Sequence, residues 1–264
     1  MSTTTSTYAR TTAGPKAGPT LLLAHGAGGS FAANYGPIIE DLTKTHRAVG
    51  IDYPGTGATP RSTAPLDLDT LADELIAAAD AESADTFTLV GYSLGAPVAI
   101  RAATRHPDRV TALALTAPFA HPDNRLTLTA RTWRDLAASG ERDILAEFLV
   151  PLALSPAALE ALSPQELAAT LRGTADTLPE GTEEHVDLAS RVDVRADLPQ
   201  ISVPTLVITT TEDRLVPPTL HREVAAGIAG ARTAELATGH LPFAEQPAQW
   251  QKLITEFLAE VPGK

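Results

Sequence analysis

The chain contains no cysteine. That removes disulfides, thiolate nucleophiles and Cys-ligated zinc or iron–sulfur centres from consideration. Positive charge is scarce as well: 20 Lys and Arg stand against 32 Asp and Glu, for a formal net charge of −12. A field of that sign repels polyphosphate backbones, and no Lys/Arg block interrupts it, so nucleic acid is not an expected partner. No apolar run approaches the ~18–20 residues that a membrane helix needs. The opening Met-Ser-Thr-Thr-Thr-Ser-Thr has neither a charged n-region nor an apolar h-region. No leader is legible there, and the expectation is a soluble, cytoplasmic protein with no membrane partner. Dinucleotide glycine patterns, phosphate loops and metal-ligand spacings of His and carboxylates are missing too, so neither an organic cofactor nor a metal is implied. Nothing in the chain speaks to oligomeric state.

What is present is an ordinary globular composition, 44% hydrophobic and 20% charged, spread over 264 residues. A chain of that length buries roughly three quarters of its unfolded surface. Short apolar runs alternate with helical periodicity from about residue 20. Strands are predicted at Thr20–Ala24, Ala48–Ile51, Phe87–Val90, Val110–Thr116, Thr205–Thr209 and Thr233–Leu236. Helices are predicted at 35–44, Leu66–Ala81, Leu94–Arg105, Thr219–Ile228 and Ala248–Leu258. Continuous apolar strands between helices mean crossover connections and an α/β fold, a mostly parallel central sheet with helices on both faces. Ligands of such sheets bind outside the carboxyl ends of the strands. The stretches His25-Gly26-Ala27-Gly28-Gly29 and Asp52-Tyr53-Pro54-Gly55-Thr56-Gly57 both follow strands and both read as turns. Residues 118–199 break the rhythm with no convincing strand, and Ser155-Pro156 and Ser163-Pro164 each open a short helix there. This segment reads as a helical lid over the sheet edge, with 1–117 and 200–264 forming the core. The first 19 residues are expected to supply one edge strand near Tyr8–Thr12 and otherwise to fray.

Gly91-Tyr92-Ser93-Leu94-Gly95 lies between a predicted strand and a predicted helix. In that setting the two glycines permit a sharp turn that exposes the Ser93 hydroxyl at a helix N-terminus, where the dipole and free amides favour a developing anion. A serine hydroxyl needs a base, and the base needs an orienting group. His240, in a loop before the last helix, and Asp213, after the strand at 205–209, both fall at strand ends. The order Ser93, Asp213, His240, at separations of 120 and 27 residues, is compatible with convergence in space. Glu212 is a rival orienter beside Asp213; Asp213 is favoured because neighbouring side chains at a strand end point apart. His25 has two readings, a donor near the reacting carbonyl or a loop-fixing histidine, and the second is favoured. His106 is expected to end a helix, and His46, His121, His185 and His221 are indistinguishable from surface residues. Arg131 and Arg134, three apart in the lid, form either a carboxylate clamp or a solvated face paired with Asp135 and Glu141; the solvated face is favoured.

Taken together, His25-Gly26 with its glycine loop, the Asp52–Gly57 turn, the Gly91–Gly95 elbow, His106-Pro107-Asp108-Arg109-Val110, Asp213…Val216-Pro217 and Gly239-His240…Glu245-Gln246-Pro247 resemble the α/β-hydrolase superfamily over residues 20–258. The resemblance implies a cap inserted after the family's sixth strand, a Ser93–Asp213–His240 triad, and an oxyanion hole formed by the backbone amides of Ala27 and Leu94. Thr210 departs from the family by standing where glycine is frequent, which makes that turn less relaxed. Gly95-Ala96 replaces the more usual Gly-Gly, and the N-terminus is one strand short of many members. The small lid and the His25-Gly26 loop look most like enol-lactonases, small-molecule esterases and cofactor-free perhydrolases.

The expected activity is hydrolysis of an ester, lactone or thioester of a small, largely apolar molecule through an acyl-enzyme on Ser93. Trp133, Phe148 and Leu149 are the large apolar lid residues that either line the pocket or pack lid helices together. Acyl transfer or ring closure on the same apparatus is the nearest alternative, and a ligand-binding receptor with negligible turnover is the alternative from another class.

Overall fold

The computed structural model describes residues 8–261; the leader-free and frayed readings of residues 1–7 fall outside them. Seven strands form one sheet: β1 (Arg10–Ala13), β2 (Thr20–Ala24), β3 (Arg47–Ile51), β4 (Phe87–Tyr92), β5 (Val110–Thr116), β6 (Thr205–Thr210) and β7 (Arg232–Leu236). Their spatial order is β1-β3-β2-β4-β5-β6-β7. All neighbours are parallel except β1, which runs antiparallel to β3 with Arg10 opposite Ile51 and Ala13 opposite Ala48. Residues 14–19, expected to fray, instead form a turn in which the Gly18 amide donates to the Pro15 carbonyl.

The apolar runs are covered on both faces. Leu22 of β2 joins one layer with Leu75, Ala99 and Leu220, from α2 (Leu68–Ala81), α3 (Gly95–Arg105) and α9 (Pro218–Gly227). Leu21 and Leu23 face the other layer, with Tyr35 of α1 (Phe31–Leu42) and Trp250 and Phe257 of α11 (Pro247–Glu260). Successive strand residues point to opposite faces, so one unbroken Leu-Leu-Leu run feeds both layers. Helix starts carry the side-chain caps expected of them: Ser30 accepts from the Ala33 amide and Asp67 from the Thr70 amide.

Five α-helices lie between β5 and β6, followed by a 3₁₀ turn at Leu198–Gln200: α4 (Asn124–Ser139), α5 (Arg142–Ala153), α6 (Pro156–Glu160), α7 (Pro164–Thr177) and α8 (Thr182–Ala189). They follow the fifth strand of this sheet, in keeping with an N-terminus one strand short. Ser155 and Ser163 cap α6 and α7, each followed by Pro, and Ser163 with Glu166 completes a capping box. A last short helix, α10 (Pro242–Glu245), precedes α11. Among the described residues, no helix is long and apolar enough to cross a membrane.

Candidate active site

Ser93 directly follows β4 and adopts φ +52°, a left-handed conformation that a non-glycine residue rarely holds. Its amide donates to the Thr116 carbonyl and its own carbonyl accepts from the Ala96 amide, so the turn is braced on both sides. The bracketing glycines are needed for space. A Cβ at Gly91 would meet the Gly95 backbone, and one at Gly95 would meet the Ala24 and His25 backbone.

The three residues at 93, 213 and 240 meet. His240 Nε2 lies 2.9 Å from Ser93 Oγ, and His240 Nδ1 lies 2.6 Å from Asp213 Oδ2. All three are buried; Ser93 is 7% exposed and Asp213 4%. Asp213 Oδ1 accepts from the Leu215 and Val216 amides, each at 2.9 Å, while Oδ2 also accepts from Thr210 Oγ1 at 2.9 Å. With four donors the carboxylate is held in one rotamer, and acceptor Oδ2 requires the proton on His240 Nδ1. That leaves Nε2 as an acceptor facing the serine hydroxyl, the tautomer a general base needs. Glu212 is exposed, and among the described residues only its backbone amide is engaged, donating to the Thr238 carbonyl. Thr210, expected to make its turn less relaxed, ends β6 without a positive φ and donates a hydrogen bond to the acid.

The His240 loop is fastened to the helical insertion. The His240 amide donates to the Ala153 carbonyl at 2.6 Å. Glu245 Oε1 accepts from both the Gly239 amide, at 2.9 Å, and the Ser155 amide, at 3.1 Å. Tyr92 Oη donates to the His240 carbonyl at 2.7 Å.

Neither the Ala27 nor the Leu94 amide is engaged in a hydrogen bond among the described residues. Gly26, Ala27, Gly28 and Gly29 form a turn closed by the Gly29 amide on the Gly26 carbonyl at 3.2 Å, with Gly28 at φ +65°. The Gly26 amide donates to Asn34 Oδ1 at 2.9 Å. Free amides at 27 and 94, both just beyond the carboxyl ends of the parallel neighbours β2 and β4, can hold an oxyanion.

His25 is loop-fixing rather than substrate-binding. The Tyr53 amide donates to its Nε2 at 3.0 Å, which leaves Nδ1–H to donate to the Gly26 carbonyl at 2.8 Å. Both ring nitrogens are therefore occupied, and burial pushes its pKa down to about 4. His185 and His221 are not surface residues: both are fully buried. His221 Nε2 lies 3.8 Å from Asp213 Oδ2. Burial lowers its pKa to about 4 despite that carboxylate.

A cavity of about 200 Å³ opens against His240, Leu241 and Phe243, the Ala27–Gly29 turn and Asn34. Its other wall comes from the insertion: Trp133, Leu149, Val150, Ala153 and Leu154, with Thr170, Thr174 and Thr177 along α7. Ser93 is not on the wall itself; it sits one hydrogen bond behind His240. Trp133 and Leu149 thus face the cavity as one of the two readings has it. Phe148 does not. On α5 the buried stripe is Leu145, Ala146, Leu149, Val150 and Ala153, and one helical step carries Phe148 off it. Arg131 and Arg134 do not line the cavity either. Arg134 pairs with Asp135 at 2.9 Å and reaches Asp187 at 3.9 Å, with Glu141 uninvolved. Among the described residues, no group of three or more His, Asp or Glu is placed to hold a metal ion.

The chain is 32% identical over 243 residues to pyrrolizixenacetamide deacetylase of Xenorhabdus hominickii, covering 91% of each chain. It is 30% identical to the pimeloyl-[acyl-carrier protein] methyl ester esterase of Xanthomonas axonopodis pv. citri, covering 93% of this chain and 97% of that one. The solved enol-lactonase from Burkholderia xenovorans LB400 superposes with a TM-score of 0.84 at 25% identity, covering 96% of both chains. A family model described as alpha/beta hydrolase fold matches residues 19–247. With its parallel sheet, its strained strand-to-helix serine and that match across most of its length, the chain belongs to the α/β-hydrolase family.

Proposed function

We propose that the protein is a serine-dependent carboxylic ester hydrolase acting on small, largely apolar acyl compounds. The observation that carries this reading is the unbroken Ser93–His240–Asp213 hydrogen-bond chain with the correct tautomer enforced by a four-times-bonded carboxylate. Ser93 Oγ attacks the acyl carbon and its proton passes to His240 Nε2. Asp213 stabilises the resulting imidazolium. The carbonyl oxygen, now negative, takes hydrogen bonds from the Ala27 and Leu94 amides. The imidazolium protonates the departing alkoxide, and the acyl-oxygen bond breaks to leave an acyl-serine. Water, deprotonated by His240, then releases the acid and restores the serine hydroxyl.

The cavity supports this substrate class. A volume of about 200 Å³ falls below the ~300–1,000 Å³ of pockets that enclose drug-sized ligands. Its Leu, Val, Ala, Trp and Phe surface suits a short apolar group. A deacetylase, a methyl ester esterase and an enol-lactonase among the similar proteins support small acyl or alkoxy groups at this site. The test is labelling with a fluorophosphonate, followed by hydrolysis of a p-nitrophenyl ester series of increasing acyl length. Ser93→Ala should remove the label and lower kcat by several orders of magnitude while leaving the fold intact. Near-native turnover by folded Ser93→Ala excludes the acyl-serine route. Saturable binding of esters without turnover by the native protein favours a receptor instead.

A further inference from the structure

Asn34 brings a polar group to a cavity walled largely by apolar side chains. It lies in the first turn of α1, 5% exposed, and lines the cavity beside His240. The Gly26 amide donates to one atom of its side-chain amide at 2.9 Å. A backbone N–H only donates, so that atom is the oxygen and the other, Nδ2, is an NH₂ group with no acceptor capacity. Nδ2 has no partner among the described residues, and it is not one of the unpartnered polar atoms that the protein encloses completely. Side chains buried to this degree normally have their polar atoms bonded. The remaining outlet for this donor is the cavity.

The donor is held in place. Oδ1 is tied to Gly26, and the Asn34 backbone amide donates to the Ser30 carbonyl at 3.0 Å. Gly29 leaves the space that the side chain fills: a Cβ there would lie 2.7 Å from Oδ1 and 3.0 Å from Nδ2. Thr170 and Thr174, one turn apart on α7, also line the cavity, and their hydroxyls have no partner among the described residues. A hydroxyl both donates and accepts, so it accommodates either kind of group, whereas Nδ2 discriminates. An alkyl group set against Nδ2 leaves a donor unpaired once substrate has displaced water, and an oxygen pairs it. Among the described residues, no Lys, Arg, Asp or Glu lines the cavity. Nothing there compensates an ionised substrate group, so the matching acceptor is a neutral oxygen.

We propose that Asn34 is a specificity-determining residue, and that the preferred substrate carries a second, uncharged acceptor oxygen in its acyl group besides the carbonyl that Ser93 attacks. This rests on the acyl-serine reading above and narrows its substrate class. The acyl group is not a plain alkyl chain but one bearing an ether, ketone or hydroxyl oxygen, its carbon skeleton packed on the Leu149, Val150 and Trp133 wall. A site with a fixed polar partner discriminates against the analogue that lacks the matching group more sharply than an apolar wall discriminates by size.

The experiment compares the p-nitrophenyl esters of pentanoate, ethoxyacetate and 3-methoxypropanoate, acyl chains of equal length in which an ether oxygen replaces one CH₂ in the last two. Each kcat/KM is divided by the rate constant for hydroxide-catalysed hydrolysis of the same ester, which removes inductive activation by the ether. At least one ether ester should then exceed pentanoate by about 3- to 10-fold, the worth of one net hydrogen bond. Asn34→Leu removes both bonds of the side chain. Asn34→Asp keeps an acceptor for the Gly26 amide and, at mildly alkaline pH, replaces the NH₂ by a carboxylate oxygen. In both variants the ether-to-pentanoate ratio should fall to about 1 or below. If Asn34→Leu does not fold, Asn34→Asp carries the test alone. No native preference for either ether, or a native ratio retained in Asn34→Asp, would overturn the proposal. Equal losses on all three esters would overturn it too, leaving Asn34 as a brace for the turn at Gly26. Absence of Ser93-dependent turnover of every ester by the native protein is a different failure, that of the acyl-serine reading itself.

Discussion

Replacing Asp213 with Asn tests the tautomer argument directly, because it changes one acceptor into a donor at nearly constant shape. Oδ1 can remain a carbonyl oxygen, still accepting from the Leu215 and Val216 amides. The new NH₂ then occupies the Oδ2 position, facing Thr210 Oγ1 and His240 Nδ1. The threonine hydroxyl can rotate and accept. The imidazole can satisfy the amide only by accepting at Nδ1, which moves its proton to Nε2 and points a donor at Ser93. The base is then blocked without any loss of packing. By analogy with the same exchange in serine proteases, kcat should fall by about 10⁴, or ~5 kcal/mol of transition-state stabilisation. Glu212→Gln, which alters an exposed side chain next door, should cost less than threefold. Initial rates with p-nitrophenyl acetate across pH 6–9 separate the two variants, and circular dichroism checks that both are folded. An Asp213→Asn enzyme within tenfold of wild type, or a larger loss in Glu212→Gln, would refute the orientation argument.

Leu149→Ala and Trp133→Ala should change the preference between short and long acyl esters by roughly 10- to 200-fold, the worth of a lost apolar contact of ~1–3 kcal/mol. Phe148→Ala, off the cavity wall, should leave the ratio unchanged; an effect as large as at Leu149 would mean the cavity is not the acyl site. Acid stability is predicted by three buried neutral histidines, His25 and His221 with pKa values lowered to about 4 and His185 to about 3. The unfolded chain protonates them near pH 6.5 and the folded chain does not. Stability should thus be insensitive to them above pH 7 and decline by about 1.4 kcal/mol per pH unit for each as pH falls from 6.5 toward 4. Denaturant unfolding at pH 7.5, 6.5, 5.5 and 4.5 measures it, and a flat profile down to pH 5 contradicts the burial argument.

The sheet and the chain order of the site were legible because both are carried by local signals. Three consecutive leucines just before a glycine-rich turn fit a strand covered on both faces, and a glycine-bracketed serine between strand and helix has few other uses. Boundaries were less so. The first helix begins at Phe31 rather than 35 because Ser30 caps it and Asp52, distant in sequence, accepts from the Phe31 amide at 2.9 Å. Ser30 was a readable signal, whereas Asp52 was not. The burial of His185 and His221 goes with contacts 157 and 8 residues away in sequence, the first to Gly28 and the second to Asp213. No spacing rule encodes such contacts, so a buried histidine and a surface one look alike in a single chain. Thr210 stands out in the sequence as an irregularity, but its contribution depends on the position of Asp213 Oδ2, which no local pattern encodes. Phe148 shows the same limit at short range: in an Ala/Leu-rich helix, the phase of the buried stripe is set by its neighbours.

The fastening of the His240 loop to Ala153 and Ser155 constrains how such an enzyme can diversify. A chimera that exchanges residues 118–199 wholesale for another helical insertion would also remove the Ala153 carbonyl under His240, the Ser155 amide on Glu245 and His185, whose Nδ1 accepts from the Gly28 amide. Catalysis and selectivity would then change together, and a new substrate range would arrive with a damaged site. Point changes at cavity positions free of those bonds, such as Trp133, Leu149, Thr170 and Thr174, alter the wall while the seam stays intact. The mutational path of least damage runs through those few side chains, and a library confined to them should retain active members far more often than one built by swapping the segment.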